Sequence, residues 1–539
     1  MMQHEPLTLA MVRERIEQTS GRRAITEMHS ERVTSTSYAA LRYHELAWAL
    51  DRLGAARGAR VATLCWNTRQ HLELYLAVPC SGRVLHTINV RLSPEEITYI
   101  LADAEDCVVF VDEDLLPTLA DVSFPTSVRH IVIIDESEAP KVELNTDAEV
   151  TTYSSLLANS PRGYDWPRLA EDELAGVCYT SGTTGQPKGV TYTHRSSFLH
   201  ALALTTADGF AIAEHDTCMP VVPMFHANAW GIPYASLIAG SAIALPGRFT
   251  DARSLTDLIR TSGVTFAAGV PTVWIALADQ LATGGIDLAD LASIQRLVVG
   301  GSAVSWGLMR QFDECGLTIL HAWGMTECSP VGLVARPRFD QSGTKATAAR
   351  LSQGRPLPGL TFRLVNDVGQ VQPWDGESVG ELQVSGPWVA SDYLQGALAQ
   401  PDRTQFVDEG GRTWLRTGDV ALIDSDGFVQ LVDRTKDLIK SGGEWISSVN
   451  LENALMTHAA ISEAAVIGVP HERWGERPVA YVRSSNPDLT VAELLEHLNR
   501  SVARWQLPDS VIFVDEVPTT SVGKFDKKRL RLQHDSSSV

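Results

Sequence analysis

The stretch that constrains this chain most is Tyr179-Thr180-Ser181-Gly182-Thr183-Thr184-Gly185-Gln186-Pro187-Lys188-Gly189-Val190. An apolar run, Leu174 to Cys178, leads into it and a second short apolar segment follows, so the glycines fall in a loop between two extended segments. Three glycines, four hydroxyls and one lysine suit a loop folded around phosphate oxygens. Glycine allows positive φ and close backbone approach, N–H and hydroxyl groups donate, and Lys188 brings charge. It is not the P-loop of nucleoside triphosphatases, because no G-x-x-x-x-G-K-S/T opens a helix. An arbitrary Gly/Ser/Thr cluster is more often a solvated turn, but this string is far more specific.

The loop resembles the signature of the adenylate-forming superfamily, which holds acyl-CoA synthetases, luciferases and the adenylation domains of peptide synthetases. That family's loop runs Ser/Thr-Ser-Gly-Ser/Thr-Thr-Gly-x-Pro-Lys-Gly, and Thr180 to Gly189 fits every position.

A chain of 539 residues is too long for one core, so two or more domains are expected. With 44% hydrophobic and 20% charged residues it is not a disordered chain. A net charge of −20 argues against a general nucleic-acid binder, while leaving room for a local basic site for an anionic cofactor. The seven cysteines form no C-x-x-C pair and no zinc spacing, which points to buried thiols in a reducing cytoplasm. Cys328 is expected as a small core or wall residue, not a nucleophile. Met1 to Pro6 lacks a signal-peptide pattern, and no stretch approaches the ~20 apolar residues of a membrane span.

Residues 7–55 begin with a helical pattern (Leu9, Met11, Ile16), pass through a strand-like piece and end in a helix from Leu41 to Leu53. Strands are expected at Arg60–Cys65, Cys107–Asp112 and His130–Asp135, with an extended segment ending at His86–Asn89 and helices at Thr68–Val78 and Pro94–Ala102. The alternation resumes after the signature loop at Val221-Val222, Ile243–Leu245, Thr265–Ala268 and Arg296–Val299. Two doubly wound α/β sheets account for it. From about residue 355 to 433, alternating segments with turns at Asn366–Gly369 and Asp424–Gly427 predict a barrel-like antiparallel subdomain. A small α+β unit follows, with helices 448–457 and 490–503, strands 464–469, 478–483 and 511–514, and a frayed tail from His534. The expected division is a large domain, 1–433, and a mobile C-terminal domain, 434–539.

Other motifs extend the resemblance in family order up to Lys524, and each residue role that follows is what it implies. In Pro223-Met-Phe-His226-Ala-Asn-Ala-Trp230, His226 stands near the reacting carboxylate and Trp230 gates the acyl tunnel. Taken alone, a core histidine and a core tryptophan would be the better reading. Gly301 and Ser302 end a buried strand as a shelf under adenine. In His321-Ala322-Trp323-Gly-Met-Thr326-Glu327, the first three residues border the nucleotide and Thr326 donates to the α-phosphate. Glu327 holds Mg²⁺ together with Thr180. Trp323 stands where the family usually has Tyr, keeping a flat surface and losing the phenol hydroxyl. Asp419 takes the ribose hydroxyls and Arg434 touches ribose. Lys436 is the hinge, Lys440 and Trp445 approach the nucleotide in one conformation, and Gly443 borders the pantetheine channel in the other. Lys524 is the catalytic lysine bridging substrate carboxylate and α-phosphate. The family often has Gly where Asp433 stands.

Ile-Lys-Ser-Gly-Gly-Glu-Trp-Ile-Ser and Arg504-Trp-Gln-Leu-Pro508 resemble bacterial medium- and long-chain fatty acyl-CoA synthetases and 3-methylmercaptopropionate-CoA ligases. The implied activity consumes ATP, Mg²⁺ and coenzyme A, forming acyl-AMP and then acyl-CoA, in a homodimer. A short- or aryl-acid ligase, an enzyme loading a separate carrier protein, and a non-enzymatic acyl-adenylate sensor are the alternatives. A sensor would be favoured had Lys188, Glu327 or Lys524 been missing.

Overall fold

The computed structural model describes residues 2–29, 32–134, 144–180, 186–302, 304–398, 402–442, 444–458, 460–519 and 525–537. The most apolar runs become the middle of a seven-stranded sheet. Arg60–Leu64 lies between Val84–Thr87 and Val108–Asp112, and His130–Ile134 follows outside the last, all parallel. Such strands are buried on both faces, which is why they read as continuous hydrophobic runs. Local signals set the intervening helices. Thr68 caps Arg69–Cys80, and Ser93 with Glu96 forms a capping box ahead of Pro94–Ala104. Leu174–Thr180 joins beside Val84–Thr87, and Lys188–Thr193 pairs with it antiparallel at the sheet edge.

A nine-stranded sheet carries Thr217–Pro220, Ala242–Leu245, Phe266–Gly269, Arg296–Gly300 and Ile319–Gly324 in parallel. Ala24–His29, from the start of the chain, adds to this second sheet and not to the first. Arg412–Ile423 is the longest strand of a six-stranded antiparallel sheet that ends with Val429–Arg434. The next strands, Ile439–Ser441 and Glu444–Ile446, belong to a five-stranded sheet built on Ile461–His471 and Gly475–Ser484. It has its own apolar core, including Leu455, Val466, Val482 and Leu494. The architecture is thus mixed α/β, with a large N-terminal domain and a smaller C-terminal one. No described helix is long and apolar enough to cross a membrane.

Four local expectations fail. Val221 and Val222 are not a strand: the ladder ends at Pro220, and both valine amides turn onto the Ala268 carbonyl at 2.9 and 3.0 Å. The helix expected to reach 503 stops at Leu498, where the Ser501 hydroxyl and the Ser501 and Val502 amides bend back to the Leu498 carbonyl. The expected frayed tail is helical over Lys527–Ser537, anchored by buried Leu530 and a 2.9 Å hydrogen bond between the Tyr481 hydroxyl and His534 Nδ1. Met11 faces solvent, whereas Leu9 and Ile16 are buried.

Candidate active site

Both α/β sheets deliver strand ends to one region. Thr180 and Lys188 are register partners of the antiparallel edge pair, on either side of the glycine-rich sequence. Ser181, Gly182, Thr183, Thr184 and Gly185 lie outside the described residues. The Lys188 ammonium pairs with Asp402 and sits 5.0 Å from the centre of the Tyr393 ring. Lys188 holds the Asp402 carboxyl far below the usual carboxylate range.

Beyond the end of Ile319–Gly324, a tight turn over Thr326–Cys328 places Glu327 in the interior. Gly324 is obligatory there, since a Cβ would lie 2.0 Å from the Pro330 carbonyl oxygen. The Tyr393 hydroxyl donates to Glu327 Oε1 at 3.0 Å, the Ala390 amide donates to the Glu327 carbonyl at 2.7 Å, and the Tyr192 hydroxyl donates to the Thr326 carbonyl at 2.9 Å. Burial raises the Glu327 carboxyl pKa, opposed by its own backbone N–H, by Tyr393 and by the charges of Arg434 and Lys188. Cys328 is fully buried with its thiol pushed up by desolvation, which suits a wall residue.

Trp323 supplies a donor of its own. Its indole Nε1–H donates to Asp419 Oδ2 at 2.9 Å, and Arg434 Nε pairs with Oδ1 of the same carboxylate at 2.6 Å. Asp419 is almost wholly enclosed, at 2% exposure, so this pre-set geometry is how its charge is tolerated. His321 Nδ1 lies 2.8 Å from the Ser352 carbonyl, and burial depresses its pKa to about 4. It is therefore neutral at pH 7 and acts as wall, with Ala322 buried beside it.

Gly300 and Gly301 close the strand Arg296–Gly300. A Cβ on Gly300 would meet the Ala322 carbonyl at 2.8 Å and the Trp230 ring at 3.1 Å, and Gly301 adopts φ +86°. Ser302 follows, exposed. Trp230 and half-buried His226 belong to an unusual turn in which Ala227, Asn228, Ala229 and Trp230 all take positive φ, from 42° to 57°. Each such residue costs about 1–2 kcal/mol. Asn228 is held by the Tyr75 hydroxyl at 3.2 Å, and strain kept in place by neighbours is a mark of functional segments.

The C-terminal candidates are placed differently. Lys440 lies 5.2 Å over the Trp445 ring, paired across their hairpin, and both are exposed. Neither side chain bonds to the cluster around Lys188 and Glu327. Lys436 is exposed, its carbonyl accepting from Arg531 at 3.5 Å. Asp433 accepts from the Ser448 hydroxyl at 2.6 Å, and Ser448 accepts from Lys527 at 2.6 Å. Gly443 and Lys524 lie outside the described residues.

Sequence reasoning missed Tyr393, Asp402 and Tyr192. Tyr192 follows Lys188 by an even step, so strand alternation could have found it on the same face. Nothing in the spacing of Tyr393 or Asp402 announces them.

One carboxylate shielded from water, one ammonium beside it and a pre-oriented second carboxylate make a site for a phosphorylated, hydroxyl-bearing ligand. The model of AMP-binding enzymes matches residues 12–394, and that of the AMP-binding enzyme C-terminal domain matches 450–524. The chain belongs to the AMP-binding enzyme family. It is 44% identical over 515 residues to a medium-chain-fatty-acid–CoA ligase of Ectopseudomonas oleovorans, covering 93% of this chain and 91% of that protein. A long-chain-fatty-acid–CoA ligase of Thermus thermophilus is 43% identical, with 99% and 96% covered. A 3-methylmercaptopropionyl-CoA ligase of Ruegeria pomeroyi is 41% identical, with 99% and 98% covered. The fold superposes on an anthranilate CoA ligase, AuaEII, solved with anthranoyl-AMP, at a TM-score of 0.85 and 23% identity over 99% of this chain and 98% of that one.

Proposed function

We propose that this enzyme joins a medium- to long-chain fatty acid to coenzyme A. The reaction is ATP-dependent acid–thiol ligation in two steps. A carboxylate oxygen attacks the α-phosphorus of ATP, and the bond to the β-phosphate breaks as pyrophosphate leaves. The coenzyme A thiol, losing its proton, then attacks the acyl carbon, forming the C–S bond while the C–O bond to AMP breaks.

The observation that carries the site assignment is the grouping of Lys188, Tyr393 and Glu327 beside the Trp323–Asp419–Arg434 cluster. Lys188 and the glycine-rich sequence take the outer phosphates, Thr326 takes the α-phosphate, and Asp419 with Arg434 takes the ribose. Gly301, Ser302, His321 and Ala322 line the adenine, and His226 and Trp230 the acyl group. A lone buried carboxylate with one neutral donor fits Mg²⁺, which keeps waters and phosphate oxygens as its remaining ligands. Glu327 and Thr180 would hold it, and it would supply charge neutralisation on the departing phosphates. Lys524 offsets repulsion between the two anionic reactants in the first step. The chain beyond Lys436 then turns about that residue to bring Gly443 to the thiol's path. No side chain becomes covalently modified.

The seven unpaired thiols suit a reducing compartment, and we place the enzyme in the cytoplasm. A homodimer, implied by the resemblance, is checked by light scattering. The near-equal likeness to a 3-methylmercaptopropionyl-CoA ligase supports a second reading with that acid as substrate. AMP formation measured across octanoate, dodecanoate, hexadecanoate, benzoate and 3-methylmercaptopropionate, with coenzyme A present, separates them. The highest kcat/KM belongs to a fatty acid on the first reading, and a maximum on 3-methylmercaptopropionate overturns it.

A further inference from the structure

We propose that Tyr393 is the positioning residue that fixes the spacing between the phosphate-binding ammonium of Lys188 and the metal-binding carboxylate of Glu327. The inference rests on the roles given to those two residues above and adds a third residue that neither motif contains.

Tyr393 is the one described side chain in contact with both charges. Its ring face receives the Lys188 ammonium at 5.0 Å, and its hydroxyl donates to Glu327 Oε1 at 3.0 Å. The two ends of a phenol are chemically distinct, and each is used here for what it does best. The π face attracts a cation, and the hydroxyl donates to an anion. The ring is only 8% exposed and is held edge-on by Phe406 at 5.3 Å. Its backbone is fastened to both partners. Val190 and Tyr393 form an antiparallel bridge, and the Leu394 amide donates to the Gly189 carbonyl at 2.7 Å, which ties the segment to the strand bearing Lys188. The Ala390 amide donates at 2.7 Å to the carbonyl of Glu327 itself. Residues 390–394 are thus stapled to each charged element separately, with the tyrosine side chain bridging the charges.

Gln405 completes the arrangement. Its side-chain amide also meets the Tyr393 hydroxyl, yet a phenol has one proton and cannot donate to two acceptors. Gln405 Oε1 faces the phenol in the structure; turning the amide over, which keeps its shape, brings the NH₂ to the phenol oxygen and leaves the phenol proton for Glu327. Gln405 then fixes the hydroxyl's direction. Phenylalanine could replace the face but not the donor, and leucine could replace neither.

The test is ATP binding by titration calorimetry, first in EDTA and then across a Mg²⁺ series, for the wild-type chain, Tyr393→Phe and Tyr393→Leu, each checked for cooperative thermal unfolding. Tyr393→Phe keeps metal-free ATP affinity within about twofold and raises the Mg²⁺ concentration for half-maximal enhancement by about tenfold, from loss of a hydrogen bond to a charged group. Tyr393→Leu adds a loss of about threefold in metal-free affinity, from the lost cation–π contact. A merely structural tyrosine would move both quantities together or neither, and either pattern in Tyr393→Phe overturns the inference. Should Tyr393→Leu fail to unfold cooperatively, Tyr393→Phe decides alone. A wild-type chain that binds no ATP under any condition would overturn the functional reading beneath it, an outcome distinct from a wild type that binds and a variant that matches it.

Discussion

The groups around Lys188 and Glu327 and the groups on the hairpin Ile439–Ser441/Glu444–Ile446 are held in opposite ways. In the first region the charged groups are held by close partners, and Glu327 and Asp419 are buried. Trp323 and Arg434 grip Asp419, Tyr393 joins Lys188 to Glu327, and Tyr192 ties the two elements together. In the second, Lys440 rests over exposed Trp445, and among the described residues its side chain makes no bond to the first region. On the function proposed above, the first is a receptor whose carboxylates Asp419 and Glu327 are oriented before the nucleotide arrives. The second is built on its own core, and on the function proposed above it turns as a unit. A reaction with two chemically different steps at one carbonyl needs both: a fixed floor and an exchangeable wall.

The sharpest way to break this comparison is to remove the lysine assigned to the movable part. Lys524→Ala lowers acyl-AMP formation by about 10²–10³-fold while leaving thioester formation from supplied acyl-AMP near wild type. Half-reactions followed separately by rapid quench would show it, and equal loss of both would mean the lysine is not confined to one step. Next in size is the hinge. Lys436→Pro fixes φ near −65° and removes an N–H, so acyl-AMP still forms while its transfer to coenzyme A falls about 10²-fold. Single-turnover measurement decides, and a parallel fall in both steps contradicts an independently moving wall.

The fixed floor gives smaller effects. Trp323→Phe keeps the ring and loses the donor to Asp419, and the KM for ATP rises about tenfold with kcat little changed. Discrimination between ATP and 2′-deoxy-ATP narrows in the same assay, because the carboxylate that reads the ribose is no longer aimed. Asp402→Asn is the mildest change. It frees Lys188 of its internal partner, and an ion pair this near the surface is worth at most about 1 kcal/mol, so ATP affinity rises by no more than about fivefold in calorimetry.

Much of this organisation was legible because it lies in local pattern. Buried parallel strands announce themselves as apolar runs, as Val108–Asp112 and His130–Ile134 do, and capped helices such as Pro94–Ala104 carry their signals beside them. The site motifs were legible because Thr180, Lys188, Thr326, Glu327 and Asp419 sit in short strings of fixed order. What escaped depends on contacts across sequence. Tyr393 lies 66 residues from Glu327 and Asp402 lies 214 from Lys188, so no window contains both partners. Trp323 was visible as a departure from the resembling family's pattern, but the partner of its indole was not. That an indole N–H would reach Asp419, 96 residues away, follows only from the fold. The turn at 227–230 escaped for another reason: its alanines have no preference for positive φ, and the neighbours that hold Asn228 impose it.

The central claim is that one preorganised site makes an acyl adenylate and holds it until coenzyme A arrives. Mixing the enzyme with ATP, Mg²⁺ and dodecanoate, then adding coenzyme A, tests it most directly, with pyrophosphate and AMP followed in one rapid-quench series. The account predicts a burst of about one pyrophosphate per site without coenzyme A, with AMP and dodecanoyl-CoA appearing together on its addition. Formation of ADP and phosphate in place of pyrophosphate and AMP, or no pyrophosphate until coenzyme A is present, would contradict it.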